Sequence, residues 1–155
     1  MPVRSAYPGT ALTGEVLTAL KVNNLPGGWI GYAEAPADQS GVVNPIDLTG
    51  MLVNVTVGAS RRLRIEVCTS ILSNVAADSA ALGILESTTV LATRSIVVVK
   101  ANTLEGLTCT AIITPTAGAH TFRATLERST GTGTFLSGSG PGQRAYIYVE
   151  DIGPA

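Results

Sequence analysis

The sequence predicts an all-β protein, an antiparallel jelly-roll-like sandwich of roughly eight to ten strands behind an N-terminal arm carrying one short helix. Three observations point there. Short runs alternate apolar and polar residues, as in Met51-Leu-Val-Asn-Val-Thr-Val57 and Arg61-Arg-Leu-Arg-Ile-Glu-Val-Cys-Thr69. Turn signals rich in glycine, proline and asparagine separate these runs at close intervals. No strand–helix–strand alternation appears after residue 28, so a parallel sheet is not expected.

Residues 1–27 read as the arm and 28–155 as the sandwich domain. Leu12, Val16 and Leu20 recur every four residues and give a short apolar stripe, with Glu15 early and Lys21 late, as a helix dipole favours. Thr10 or Thr13 is placed to cap that helix, and Asn23-Asn24-Leu25-Pro26-Gly27-Gly28 ends it. A helix of about ten residues is marginal alone, so it must dock, either on its own domain or on a neighbouring subunit.

The strands follow in order. Trp29–Glu34 is the first, and 51–57 places Met51, Val53, Val55 and Val57 on one face. A turn at 58–60 leads into 61–69, where Leu63, Ile65, Val67 and Thr69 face inward and Arg62, Arg64 and Glu66 outward. Segments 81–86, 89–92 and 95–100 come next. The last is apolar on both faces, which predicts a central strand or one buried at an interface. Segments 103–114 and 120–127 flank a turn at 115–118, with His120, Phe122, Ala124 and Leu126 on the inner face. Residues 131–137 and the closing strand Arg144–Val149 complete the domain, with Gly138–Gly142 as a flexible loop between them.

Composition narrows the function classes. Of 155 residues, 45% are hydrophobic and 14% charged, and net charge is −1. An apolar, charge-poor chain of this kind predicts a Thr-, Ser-, Ala- and Gly-rich surface or burial against other subunits. With ten basic and eleven acidic residues no global field attracts nucleic acid. No apolar run approaches the roughly 18 residues of a membrane span, and the first residues contain no apolar signal core. Cys68 and Cys109 sit mid-strand and read as two buried free thiols; a disulfide depends on a Cα separation that sequence does not give.

Catalytic patterning is sparse. His120 is the sole histidine and lies on an apolar strand face, the position of a packed or interface histidine. No nucleophile elbow accompanies it, carboxylates are scattered, and Thr130-Gly-Thr-Gly-Thr134 lacks the lysine and following helix of a phosphate loop. No cofactor, metal or catalytic residue is expected, and the chain reads as a non-enzyme. Arg62 and Arg64 share an outward face with Glu66, forming either a solvated salt-bridged face or a contact for an acidic partner. Trp29, Tyr32, Tyr146 and Tyr148 would suit either a sugar-stacking platform or core and interface anchors.

Four segments carry a resemblance: Leu25-Pro-Gly-Gly-Trp-Ile-Gly-Tyr-Ala-Glu34, Asp47-Leu-Thr-Gly50 with Val53-Asn-Val-Thr-Val-Gly-Ala-Ser-Arg-Arg-Leu-Arg64, Pro115-Thr-Ala-Gly-Ala-His-Thr-Phe122, and Tyr148-Val-Glu-Asp-Ile-Gly-Pro-Ala155. In their order and spacing they resemble a family of small virion proteins of tailed bacteriophages of actinobacteria, over residues 25–155. That family is commonly described as minor tail or otherwise structural, and its strand order resembles the jelly rolls of tumour-necrosis-factor-like trimers. The resemblance implies a homotrimer on the exterior of the particle, made in the host cytoplasm, at the tail tip or fibre. A capsid decoration protein on the major capsid shell is the alternative, and a carbohydrate-binding module a third from another class. It implies a trimer interface at Tyr146 and Tyr148, to which His120 and Phe122 are added as apolar-face candidates. Leu12, Val16 and Leu20 become the docking arm. Arg62, Arg64 and Trp29 become surface contacts for virion proteins or a host surface glycan.

Overall fold

The computed structural model describes residues 27–138 and 144–155. The helical stripe at Leu12, Val16 and Leu20 and most of the glycine loop therefore lie outside the described residues. Ten strands form two antiparallel sheets: β1 Gly28–Glu34, β2 Gln39–Val42, β3 Ile46–Val57, β4 Arg61–Ser73, β5 Ser79–Glu86, β6 Thr89–Val97, β7 Glu105–Ile113, β8 Gly118–Thr130, β9 Phe135–Gly138 and β10 Tyr146–Pro154. Among the described residues there is no helix.

Sheet A runs β1-β10-β4-β7, with β9 and β2 continuing the rows of β10 and β1; sheet B runs β3-β8-β5-β6. Between β2 and β9 the chain alternates between sheets, apart from the β5–β6 hairpin within sheet B, while β1–β2 and β9–β10 each stay within sheet A. This is a jelly roll, and the all-β antiparallel sandwich expected from sequence is the fold observed.

Period-2 alternation explains why the layers close. In β3, Met51, Val53, Val55 and Val57 are buried, as are Leu63, Ile65, Val67 and Ile71 in β4 and Phe122, Ala124 and Leu126 in β8. These side chains meet between the sheets in one continuous core. Gly31 is a point of close approach, since a Cβ there would sit 2.2 Å from Val53 Cγ1.

Several boundaries differ from the sequence expectation. Segments 89–92 and 95–100 merge into β6, because Thr93 and Arg94 continue the β5 pairing without a turn. β6 is an edge strand and not a central one; Val97 and Val99 are exposed, Val99 by 84%, and only Val98 is buried. The closing strand does not stop at Val149 but pairs with β4 through Pro154. Its tail is fixed by Asp151, which accepts from Arg61 Nε at 2.8 Å and Nη2 at 2.8 Å, while Ala155 N donates to Ser60 O at 2.9 Å.

Residues 131–134 are a turn preceding β9, wrapped around a buried carboxylate. Asp78 accepts from Thr132 N at 3.1 Å and Gly133 N at 2.7 Å, and a Cβ at Gly133 would lie 2.5 Å from Asp78 Oδ2. The amides that superficially suggest a phosphate cradle are thus occupied by the chain's own anion. Asp78 is 2% exposed, whereas Asn74, Ala76 and Ala77 just before it are exposed.

Candidate functional site: an aromatic face on sheet A

The densest assembly of candidate residues stands on the outer face of sheet A, where β1 lies beside β10. Tyr32 pairs with Tyr148 and Glu34 with Tyr146 across the ladder, while Trp29 pairs with Glu150. A register shift between Trp29 and Gly31 inserts an extra residue, so Trp29 and Tyr32, three apart, share one face. Strict alternation would have separated them.

The four rings form a connected cluster. Trp29 lies 5.3 Å from Tyr148 and 6.3 Å from Tyr32; Tyr146 lies 6.2 Å from Tyr32 and 6.1 Å from Tyr148. The planes are inclined by only 9° to 26°. Near-parallel rings this close overlap as offset stacks, the arrangement favoured by the aromatic quadrupole. Tyr148 is the buried centre at 8% exposure, whereas Trp29 is 69% and Tyr32 49% exposed.

Charged side chains edge the cluster. Arg64 bridges to Glu150 at 2.8 Å and lies 5.6 Å over the Tyr148 ring. Arg144 bridges to Glu34 at 2.9 Å, and Glu34 also accepts from the Tyr32 hydroxyl. The Tyr146 hydroxyl reaches Glu66 at 3.4 Å. Burial, then the nearby Cys68 and Glu66, pushes the Tyr146 phenol up to about 12, and burial followed by Glu66 raises Tyr148. The Glu34 hydrogen bond, ahead of burial, raises Tyr32, and the Tyr32 and Arg144 contacts lower Glu34. The phenols therefore stay neutral and keep their hydroxyl donors.

The expected interface residues divide. Tyr146 and Tyr148 share this face, and Trp29 and Arg64 join them, with Arg62 exposed farther along β4. Phe122 is fully buried in sheet B and His120 lies on the same strand, so neither belongs to this patch. His120 presents Nδ1 to Glu86 Oε1 at 2.5 Å and Nε2 to Thr116 O at 2.8 Å. Both partners are acceptors, so the ring is held best with both nitrogens protonated; the Glu86 bond is the main cause of its raised pKa. Cys68 and Cys109 are both free, but only Cys109 is buried, where burial raises its thiol pKa; Cys68 is half-buried, unlike the sequence expectation. Cys68 pairs with Thr108 and Cys109 with Val67 in adjacent rows of β4 and β7, which puts the two thiols on opposite faces.

What sequence reasoning missed was the Trp29–Tyr32 bulge and the β1–β10 pairing that unites the rings. Gly31 inside an otherwise bulky strand was the available signal.

No protein-family model matches the chain, and no curated protein aligns with it. Solved structures of similar shape include the carbohydrate-binding module CBM6cm-2 of Cellvibrio mixtus lichenase 5A in complex with cellotriose, at 15% identity over 79% of this chain and 98% of that one, with TM-score 0.40. The tripod from the baseplate of bacteriophage Tuc2009 is 13% identical over 97% of this chain and 78% of that one, with TM-score 0.41. The VP2 protein of infectious bursal disease virus is 12% identical over 99% of this chain and 42% of that one, with TM-score 0.43. Each is a likeness of overall shape and assigns no residue of the aromatic face.

Proposed function

We propose that the protein is a non-enzymatic structural component of a virion exterior that assembles with itself as a trimer, through the aromatic face of sheet A. The observation that carries this reading is the ring cluster: a buried tyrosine, two half-covered or exposed rings and an exposed tryptophan, edged by ion pairs. That is the anatomy of an interface hot spot with a polar rim.

A second patch supports a ring over a two-fold dimer. Val97, Val99 and Leu104 are exposed on the flank formed by β6 and the β6–β7 connection, away from β1 and β10. Joining two unlike patches is a heterologous contact, which closes into a cyclic oligomer when the rotation permits. β7 needs such cover: its nine residues pair with β4 without a register break, and its only charge, Glu105, accepts from Val99 N at its first position.

Placement on a tailed phage, at the tail tip or fibre, rests on the sequence resemblance. Light scattering should return three times the chain mass, and immunogold labelling should mark the tail. A monomer at tens of micromolar would overturn the assembly, and gold on the shell would favour capsid decoration.

A further inference from the structure

The outer face of sheet B holds a different feature, a groove of about 490 Å³ that crosses the strands. Its course follows from register. One row across the sheet reads Asp47, Thr125, Gly83 and Thr93, on β3, β8, β5 and β6 in turn. The next row carries Arg123, Leu85 and Val90, and the row on the other side carries Glu127. The low row is a channel because Gly83 has no side chain. A Cβ there would fall 2.6 Å from Thr125 Oγ1 and 3.3 Å from Leu85 Cδ1, so packing keeps the floor open.

We infer that this groove binds a neutral saccharide. A sugar ring alternates hydroxyls, which both donate and accept, with short apolar C–H patches. The groove offers that mixture: two threonine hydroxyls on the floor, carboxylates at Asp47 and Glu127, and the aliphatic Leu85 and exposed Val90 on one wall. Arg123 adds donors. Nη1 donates to Asp47 at 2.5 Å and Nη2 to Ser87 O at 2.7 Å, while its buried Nε finds no acceptor among the described residues. Two carboxylates against one guanidinium disfavour phosphate or another anion. An apolar protein surface would bury the floor hydroxyls and Glu127 unpaired, which is costly. The volume falls in the range of small-ligand sites, roughly 300–1,000 Å³. The groove and the aromatic face lie on opposite outer surfaces, so the rings take no part in saccharide binding.

The test uses the full chain on an array of neutral hexose and N-acetylhexosamine oligosaccharides, with retained glycans titrated by calorimetry. At least one neutral glycan is expected to bind, and Glu127→Gln and Thr93→Val should each weaken it at least about tenfold. Tyr148→Ala should leave that affinity unchanged, whatever it does to assembly. Retention of no neutral glycan, retention of acidic glycans alone, or affinity indifferent to both groove variants would each overturn the inference. Sedimentation of the same samples reports on the trimer separately, so the two readings fail independently.

Discussion

The two outer faces of this sandwich enclose one core yet are built in contrasting ways. Sheet A carries four stacked rings, edged by the Arg64–Glu150 and Arg144–Glu34 ion pairs. The groove row of sheet B carries threonines, a glycine and a carboxylate, with no aromatic ring. The first face has much apolar surface to lose and most of its charges in ion pairs; the second has a channel lined by threonine hydroxyls and carboxylates. Alternation on the inner faces folds the domain, which leaves the outward positions free to diverge. A face resembling half an interface and a face resembling a small-ligand cleft can therefore coexist on one small domain.

The largest expected effect breaks both faces together. Asp78→Ala removes the buried acceptor of Thr132 N and Gly133 N and empties the turn leading into β9. Leaving two backbone donors unpaired costs about 1–3 kcal/mol each, so chemical denaturation should show a loss of roughly 2–5 kcal/mol. A loss below about 1 kcal/mol would mean that water replaces the carboxylate and that Asp78 does not hold the frame.

The next separates the faces. Trp29→Ala removes an exposed ring, so the folded monomer should survive while self-association weakens about 30-fold, or about 2 kcal/mol per contact. Thr121→Ala, at an exposed position of β8 in sheet B, should leave association unchanged. Val99→Lys sharpens the point: it should disrupt a ring that joins the aromatic face to the β6–β7 flank, and spare a two-fold contact of aromatic face on aromatic face. Sedimentation equilibrium of the three variants distinguishes these cases.

Much of this was legible in sequence where one physical rule acts alone. The alternation in 51–57, 61–69 and 120–127 named the buried residues of β3, β4 and β8, because one face of each is buried and period 2 fixes which. Legibility failed where a non-local partner decides. Thr93-Arg94 reads as a break, but pairing with Gly83 and Leu82 keeps it in a strand. Glu150 to Pro154 reads as a tail, but Arg61 captures Asp151 from 90 residues away. The aromatic face needed a bulge and a β1–β10 pairing at opposite ends of the chain, and the groove needed the register of four strands. Local pattern gives a strand its inner face; it does not say which strands become neighbours, and sites on sheets are made by neighbours.

A smaller effect tests the rim of sheet B through pH. His120 carries a raised pKa chiefly from its bond to Glu86, with Thr116 O holding the other nitrogen. A folded-state pKa above the unfolded value of about 6.5 means the folded chain keeps its proton longer. The stabilisation is therefore complete below about pH 6.5 and is lost as pH rises through the folded value. The melting temperature should fall between pH 6 and pH 8, and His120→Gln should flatten that slope. An unchanged slope in the variant would show that the Glu86 contact is not linked to folding.

The smallest effect concerns the rim of the aromatic face. Arg64 pairs with Glu150, but their side chains remain 42% and 24% exposed, so solvent screens the bridge. Such pairs contribute about 0–1 kcal/mol, and a solvent-exposed guanidinium over the Tyr148 ring adds about 0.5–1 kcal/mol. Against both stands the buried Arg64 Nε, which has no acceptor among the described residues. Arg64→Met keeps most of the aliphatic cover over Tyr148 while removing that unpaired donor. Its stability should stay within about 1 kcal/mol of the parent chain, a change of roughly 2–4 °C in melting temperature. Self-association should drop far less than in Trp29→Ala, because rim charges steer contacts more than they hold them. If Arg64→Met instead matched Trp29→Ala, the charged edge rather than the rings would be the anchor of the face, and the contrast between the two sheets would be one of charge pairing rather than of aromatic surface.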